Sequence, residues 1–414
     1  MRTLVELLDK EPIENVIGSC VFQPEIVVFL CDASDSTFFK ESAIYRLFKR
    51  RKLRTRPRFY YFDTTNVAQI KRVLAAVWHD FPDCVFDFTG GSDLLLLFAG
   101  NFCIENKVPG YYIDLSRERF VNVQECEQLA PDFAVPGMMA EDVFALTGAS
   151  IQGNGHFDAL PLQPEFEQEA LQVWQVVQRN PHAWGIFVGY LQAVCAGSGT
   201  SQTLVTASAS LHGKGAGMKA NPAILDALAR AGVLRWKREN GGIQIEFKSL
   251  LHKKSLLNHG IWLELYCYVQ AKLSNEFDDV RTSIVIDWDG VDGGADNTKN
   301  EVDVFCTRGV VPVFISCKMS APSALALSEI RLLSLKFGAR NSRTVLLTAE
   351  RLTAEHNAIV QRAADLDILL LDATDIEQGR VAEKLLSISM PVSVRHKFRP
   401  INKADSSAAS IREG

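Results

Sequence analysis

The chain lacks a C-x-x-C pair among its nine cysteines, which argues against a zinc ribbon or a disulfide framework and fits a reduced, cytoplasmic setting. It also lacks any apolar run of membrane-spanning length; the densest, DLLLLFAGNF, is too short to cross a bilayer. The N-terminal MRTLVELLDKEPIENV carries acids inside its apolar pattern and does not have the form of a cleavable signal. No G-x-G-x-x-G follows the first strand signal, so the dinucleotide fingerprint is missing. Nor is there a strong charge of one sign. With 44 Lys and Arg against 49 Asp and Glu the net charge is -5, so a basic surface for nucleic acid has to be local. There is no internal repeat, and no low-complexity tract before the polar tail NKADSSAASIREG, residues 401–414.

What is present is an ordinary globular composition, 47% hydrophobic and 22% charged, in a chain of 414 residues that is long enough for two or three cores. Residues 1–150 alternate strand and helix signals. EIVVFLC reads as a strand covered on both faces, followed by a helix near 38–51, a strand at RFYYFD and a helix near 65–79. CVFDF, a helix starting at Ser92 and the strand GYYIDL complete a mostly parallel sheet with helices on both faces. Residues 151–255 open with a polar, Gly- and Pro-punctuated linker. They end in NPAILDALARAGVLRWKRENGGIQIEFKS, a helix and a hairpin that predict a winged-helix-like module. Residues 256–400 return to α/β alternation.

The stretch NEVDVFCTRGVVPVFISCK, residues 300–318, predicts two strands around a turn at Gly309-Val310. Strand alternation puts Glu301 with Asp303 and Ser316 with Lys318, and that turn would set Asp303 opposite Ser316 and Glu301 opposite Lys318. Clustered acids attract a hard divalent cation, and a nearby lysine can orient a nucleophile, which together suit phosphodiester hydrolysis. The plainer reading is a cross-strand Glu301–Lys318 ion pair. The strands are otherwise apolar, so charges there are costly without a purpose, and the preceding helix GIWLELY adds Glu264. Asp287, ending IVID, is either a further candidate or a strand-end acid, while Cys306 and Cys317 read as core residues.

The order HGIWLELYCYVQ and then NEVDVFCTRGVVPVFISCK resembles the PD-(D/E)xK nuclease domain of CRISPR-associated effectors that join a CARF sensor to such a nuclease, over roughly residues 256–375. That resemblance implies a restriction-endonuclease-like α/β domain binding Mn²⁺ or Mg²⁺. It makes Asp303 the main metal ligand, Glu264 a supporting acid, the Cys317 main-chain carbonyl a ligand, and Lys318 the water-positioning base. The sequence departs from the pattern at one point: Ser316 stands where the family has an acid. Glu301, on the facing strand, is expected to take over that role.

In DFTGGSDLLLLF, Thr89, Gly90, Gly91 and Ser92 join a strand to a helix start, a turn whose free N–H groups can hold phosphate. It can equally be a tight turn with Ser92 as N-cap. Asp32 and Ser34, in LCDASDS, lie at the carboxyl edge of the same sheet. The turn resembles the strand–TGG[ST]–helix of CARF domains. The family likeness spans residues 1–150 and includes the helix in GMMAEDVFALTGAS. It implies a Rossmann-like sensor binding cyclic tetra-adenylate (or cyclic hexa-adenylate) across a homodimer.

YRLFKRRKLRTRPR carries eight Lys/Arg between 46 and 58 and no acid, which is either a solvated or dimer-related surface or a nucleic-acid contact. Between 205 and 260 nine Lys/Arg face three Asp/Glu, an excess that would attract a phosphate backbone. Trp236 is either a base-stacking residue there or a core tryptophan. The leading expectation is therefore a metal-dependent nuclease, switched on by cyclic oligoadenylate and cutting single-stranded RNA or DNA or nicking duplex. The alternatives are a ligand-responsive DNA-binding protein with a degenerate nuclease fold and, less favoured, a small-molecule enzyme with a nucleotide site in its first domain.

Overall fold

The computed structural model describes residues 2–8, 12–34, 38–127, 129, 133–153, 155–157, 160–197, 201–211, 218–239, 241–288, 298–338 and 341–390. The polar tail and most of the glycine-rich loop 289–299 lie outside them. The chain divides into two compact units. The first comprises Met1–Gly137, Arg308–Val310 and Lys384–Gly414, and the second Met138–Thr307 and Val311–Glu383. Among the described residues no helix is long and apolar enough to cross a membrane. None of the nine cysteines is in a disulfide.

The first unit is built on β1 (Thr3–Leu7), β2 (Ile26–Asp32), β3 (Arg56–Phe62), β4 (Cys84–Asp87), β5 (Gly110–Asp114) and β6 (Arg119–Gln124). They lie in the order β3-β2-β1-β4-β5-β6, parallel except for β6. This is the Rossmann-like order, which reverses direction between β1 and β4. Helices α1 (Ile17–Phe22), α2 (Phe38–Arg50), α3 (Val67–Asp80) and α4 (Asp93–Asn106) connect the strands. The middle strands are apolar throughout because both of their faces are covered: Val27 to Cys31 are completely buried. Strand β1, central in the sheet, does not stand out in the sequence because Glu6 interrupts its apolar run.

Seven of the eight basic residues between 46 and 58 are exposed at the end of α2 and along β3, while Arg51 donates to the Gly137 carbonyl. β3 is a sheet edge, and charges such as Arg56 and Arg58 discourage further strand pairing there.

The first unit ends earlier than the sequence pattern suggests. Helix α5 (Ala140–Leu146), within GMMAEDVFALTGAS, and strand β7 (Ser150–Gly153) belong to the second unit. The Ala140 N–H donates to Asp279 Oδ2 at 3.0 Å, and β7 pairs antiparallel with a strand of the second sheet. The segment 133–139 is irregular and SIQG is very short, so neither carries a local signal of which core it joins.

In the second unit come α6 (Pro164–Arg179), α7 (Pro181–Cys195), β8 (Leu204–Ser208), β9 (Ser210–Leu211) and β10 (Met218–Lys219). Then follow α8 (Pro222–Arg230), β11 (Leu234–Glu239) and β12 (Gly242–Phe247). The predicted helix and hairpin are present, and β8 adds a third strand in the order β11-β12-β8. Gly241 has φ +81°, which a hairpin turn requires; Asn240 lies outside the described residues. This layer is tied to α6 by one carboxylate: Glu169 meets Lys248 and, at 2.9 Å, His252 Nε2.

Beyond α9 (Leu250–Leu256) and α10 (Ile261–Leu273) the second large sheet forms. Its strands are β13 (Asp279–Asp287), β14 (Lys299–Arg308), β15 (Val311–Lys318), β16 (Arg343–Thr348) and β17 (Ile368–Leu371), in the order β17-β16-β15-β14-β13-β7. Strands β15 to β17 are parallel, whereas β13 pairs antiparallel with β14 and β7. Helix α10 packs on β13 and β15, and α11 (Ala324–Gly338) packs on β15 and β16. Phe144, Phe305, Phe314 and Phe337 form an aromatic cluster in this core.

Candidate functional site

Asp303 sits within the apolar strand β14, between the buried Val302 and Val304. Its Oδ2 accepts the Cys317 N–H at 2.6 Å and the Ser316 hydroxyl at 3.1 Å, and lies 3.5 Å from Lys318 Nζ. Three successive residues of β15 therefore address one carboxylate oxygen. The structure thus brings Asp303, Ser316 and Lys318 together. Ser316, where an acid was expected from the resemblance, serves Asp303 as a hydrogen-bond donor. The Cys317 backbone reaches this carboxylate through its N–H, while burial pushes the Cys317 thiol well above its ordinary value, with the Cys267 thiol beside it.

Glu264 arrives from the first turn of α10, a helix otherwise buried almost all round, with Ser283 Oγ 3.5 Å from its Oε2. Burial pushes its carboxyl up to about 8, the Asp303 and Glu301 charges push the same way, and Lys318 and Ser283 oppose them. Glu301 is raised as well, first by burial and then by Asp303, against Ser283, Lys254 and Lys318. All four residues named from the sequence thus share one electrostatic neighbourhood. Among the described residues no group of three or more His, Cys, Asp or Glu is placed to hold a metal ion. What the structure gathers is three carboxylates under mutual repulsion, partly open to solvent, with a lysine to one side.

Three contributors have no signal in the sequence. Gly155, in what reads as a linker, has φ +46°, and a Cβ there would come within 2.6 Å of Glu301 Oε1. Ser283, at φ +52°, faces both Glu264 and Glu301. Lys254 of α9 bonds the His156 carbonyl at 2.5 Å and adds positive charge near Glu301. Asp287 is only 2% exposed, pairs across β13–β14 with Lys299, and accepts from Gln152. It is a buried strand residue tied to β7, away from the solvent contact that a strand-end acid would have.

In the first unit, the turn after β4 lies at the point where the sheet order reverses. Thr89 donates both N–H (2.8 Å) and hydroxyl to Asp87 Oδ1, and its Oγ1 accepts the Ile113 N–H at 3.0 Å. Gly90 and Gly91 are required by close approach: a Cβ at Gly90 would meet Asn15 Nδ2 at 2.7 Å. One at Gly91, where φ is +125°, would meet Leu7 Cβ at 2.8 Å. Ser92 is the exposed N-cap of α4, and its hydroxyl makes no cap hydrogen bond. Asp32 Oδ1 accepts the Ser34 N–H and hydroxyl at 2.7 and 2.6 Å, and Oδ2 accepts from Thr64. Burial would raise the Asp32 carboxyl, but these bonds outweigh it and hold it below the usual range. Asp32 therefore locks its loop to the one after β3, with β1 standing between it and the glycine turn.

Beneath that turn is a buried cluster that sequence reasoning missed. Glu6 and Asp87, neighbours on β1 and β4, and Tyr111 on β5 all face Gly18, where a Cβ would meet Tyr111 Oη at 2.4 Å, Asp87 Oδ2 at 2.8 Å and Glu6 Oε1 at 3.0 Å. Burial drives Glu6 well above its ordinary value, and Asp87 reinforces it; burial raises Asp87 to about 6.

No protein-family model matches the chain, and no curated protein is similar to it. Solved structures are. Protein VC1899 from Vibrio cholerae matches over 93% of this chain and 97% of its own, with a TM-score of 0.74 at 18% identity. Can2 from Sulfobacillus thermosulfidooxidans, in complex with cyclic tetra-adenylate, matches over 94% of this chain and 100% of its own, with a TM-score of 0.65 at 17% identity. At such identities the shared property is the fold: a Rossmann-like sheet followed by a second mixed α/β unit, in the order found here.

Proposed function

We propose that the protein is a nuclease switched on by cyclic tetra-adenylate. The first unit acts as a CARF-type sensor within a homodimer, and the second as a PD-(D/E)xK-type nuclease reached through a winged-helix-like module. The observation that carries this reading is the meeting of Lys318 and Asp303 at 3.5 Å, with Glu264 and Glu301 in their electrostatic field. The likeness to a structure that holds cyclic tetra-adenylate supports the sensor.

Asp303, Glu301 and the Cys317 carbonyl would hold the divalent cation, Mn²⁺ or Mg²⁺, with Glu264 alongside. The cation supplies Lewis-acid stabilisation of charge developing on the phosphoryl oxygens. The rest falls to the chain. Ser316 and the Cys317 N–H fix the Asp303 carboxylate, and Lys318 orients the attacking water and stabilises its developing negative charge. Lys254 offers a second positive charge to the phosphate backbone. In the sensor, Gly90, Gly91 and Ser92 present amides and the α4 N-terminus to phosphate, Thr89 braces the turn through Asp87 and Ile113, and Asp32 and Ser34 shape the neighbouring loop. The ligand favours the active arrangement only through contacts that differ between the two states.

The test is incubation with labelled single-stranded RNA, single-stranded DNA and duplex DNA, with Mn²⁺ or Mg²⁺, with and without cyclic tetra-adenylate. Cleavage that requires both cation and activator supports the reading. Retarded duplex without cleavage would instead make this a ligand-responsive binding protein whose Ser316 marks a degenerate site.

A further inference from the structure

Beside the β11–β12 hairpin lies a cavity of about 490 Å³, lined among others by Lys219, Pro222, Trp236, Arg238, Glu239 and Gly242. Trp236 is only partly buried. Its indole N–H donates to Asp226 Oδ1 of α8 at 2.9 Å, so the ring is held at a fixed angle while still lining the cavity. Trp236 and Arg238, two apart on β11, project to the same side. Among the described lining residues the one acid, Glu239, is engaged by Lys237 at 3.6 Å. Among the described residues neither Lys219 nor Arg238 has a carboxylate within ion-pair distance, and both are exposed. Gly241 has open space where a side chain would stand, which keeps the mouth clear.

An oriented indole next to two uncompensated cations, in a cavity within the roughly 300–1,000 Å³ range of small-ligand pockets, matches the chemistry of a nucleotide: an aromatic base joined to phosphate. We propose that this cavity grips one nucleotide of a single-stranded nucleic acid, the base stacking on Trp236 and the adjoining phosphates meeting Lys219 and Arg238. The proposal rests on the reading of nucleic acid as substrate, and it says where a strand is held apart from the cleavage site. An aromatic platform stacks every base, so the pocket sets affinity for unpaired strands without reading sequence. A duplex keeps its bases stacked on one another and cannot offer one without unpairing.

The experiment uses full-length Asp303→Ala protein, so that no strand is consumed, with fluorescein-labelled oligothymidylate and a single strand containing a fluorescent adenine analogue. In this background Trp236→Ala should weaken binding about 5- to 150-fold and relieve quenching of the analogue, whereas Trp236→Phe keeps most of the affinity. Lys219→Ala with Arg238→Ala should weaken binding and reduce the slope of log affinity against log salt by about 1.4, the share of two phosphates on a single strand. If Trp236→Ala does not fold, Trp236→Phe and the double variant, whose positions are exposed, carry the test. Unchanged affinity and salt slope in the double variant would overturn the proposal, as would unchanged quenching in a folded Trp236→Ala protein or tighter, Trp236-independent binding of duplex. The two readings fail differently. Trp236-dependent binding in a wild-type protein that never cuts keeps the pocket and removes the nuclease. Normal cleavage with unchanged KM in the pocket variants keeps the nuclease and removes the pocket.

Discussion

The Ser316 hydroxyl donates to Asp303 Oδ2 across 3.1 Å. Ser316 is thus built into the site as a donor, and it supports the carboxylate that an acid in its place would repel. Changing Ser316 to Glu sets a second carboxylate against Asp303, so without cations the protein should melt at a lower temperature than wild type. Adding Mn²⁺ should reverse the order, because two adjacent acids bind a hard cation more tightly than one. Thermal melts with and without Mn²⁺ check both signs. Ser316→Ala should cost only about 1 kcal/mol, since the Cys317 N–H still holds Asp303.

On the proposed nuclease reading, Glu301 supplies from the facing strand the carboxylate that Ser316 does not. Glu301→Ala and Glu301→Gln should each lower activated cleavage by about 100-fold, on the scale of losing a partner of a metal site. Binding of cyclic tetra-adenylate, measured by calorimetry, should be unchanged. Cleavage at the wild-type rate would refute the replacement. Lys318→Ala and Asp303→Ala should abolish cutting altogether.

The glycine turn yields a prediction that separates strain from contact. Gly91→Ala forces a side chain into φ +125° and onto Leu7, which should cost about 1–2 kcal/mol or more and displace the turn. Thr89→Val keeps the shape but leaves the fully buried Ile113 N–H without its acceptor, a loss of about 1–3 kcal/mol. Both should weaken cyclic tetra-adenylate binding, and denaturant melts give the stability change.

The buried pair Glu6 and Asp87 should make stability depend on pH with a defined sign. Both carboxyls are raised in the folded protein, Asp87 to about 6, whereas the unfolded chain ionises them near their ordinary values of 4.5 and 3.8. Between those limits the folded protein holds more protons than the unfolded one. Their contribution is therefore greatest at low pH and is lost as pH rises through the folded values. The slope is about 1.4 kcal/mol per pH unit for each proton. Glu6→Gln, which mimics the protonated form, should flatten the profile of urea midpoints and leave the variant relatively more stable at high pH. Profiles running parallel in the two proteins would contradict the buried pair.

Much of the architecture is legible in local pattern. EIVVFLC and RTVLLTA become the strands their apolar runs suggest, because a segment covered on both sides needs no information from elsewhere to declare itself, and GIWLELYCYVQAKL becomes the helix read there. Thr89 to Ser92 form the strand-to-helix turn, and Asp303, Ser316 and Lys318 meet as hairpin alternation requires. The misses share a cause. Glu6 hides β1, because an acid within an apolar run reads as a surface, and SIQG is too short to show which sheet it completes.

What the sequence determined alone is therefore the succession of strands and helices and the residue types available to each site. Only the tertiary structure decided that Gly155 lies against Glu301, that Ser283 faces two acids, that Lys254 joins them, and that Trp236 lines a cavity. Those relations depend on strand order and on contacts between residues far apart in the chain. No periodicity of two or 3.6 residues records them, since a local pattern fixes which side a residue faces and not what it will face.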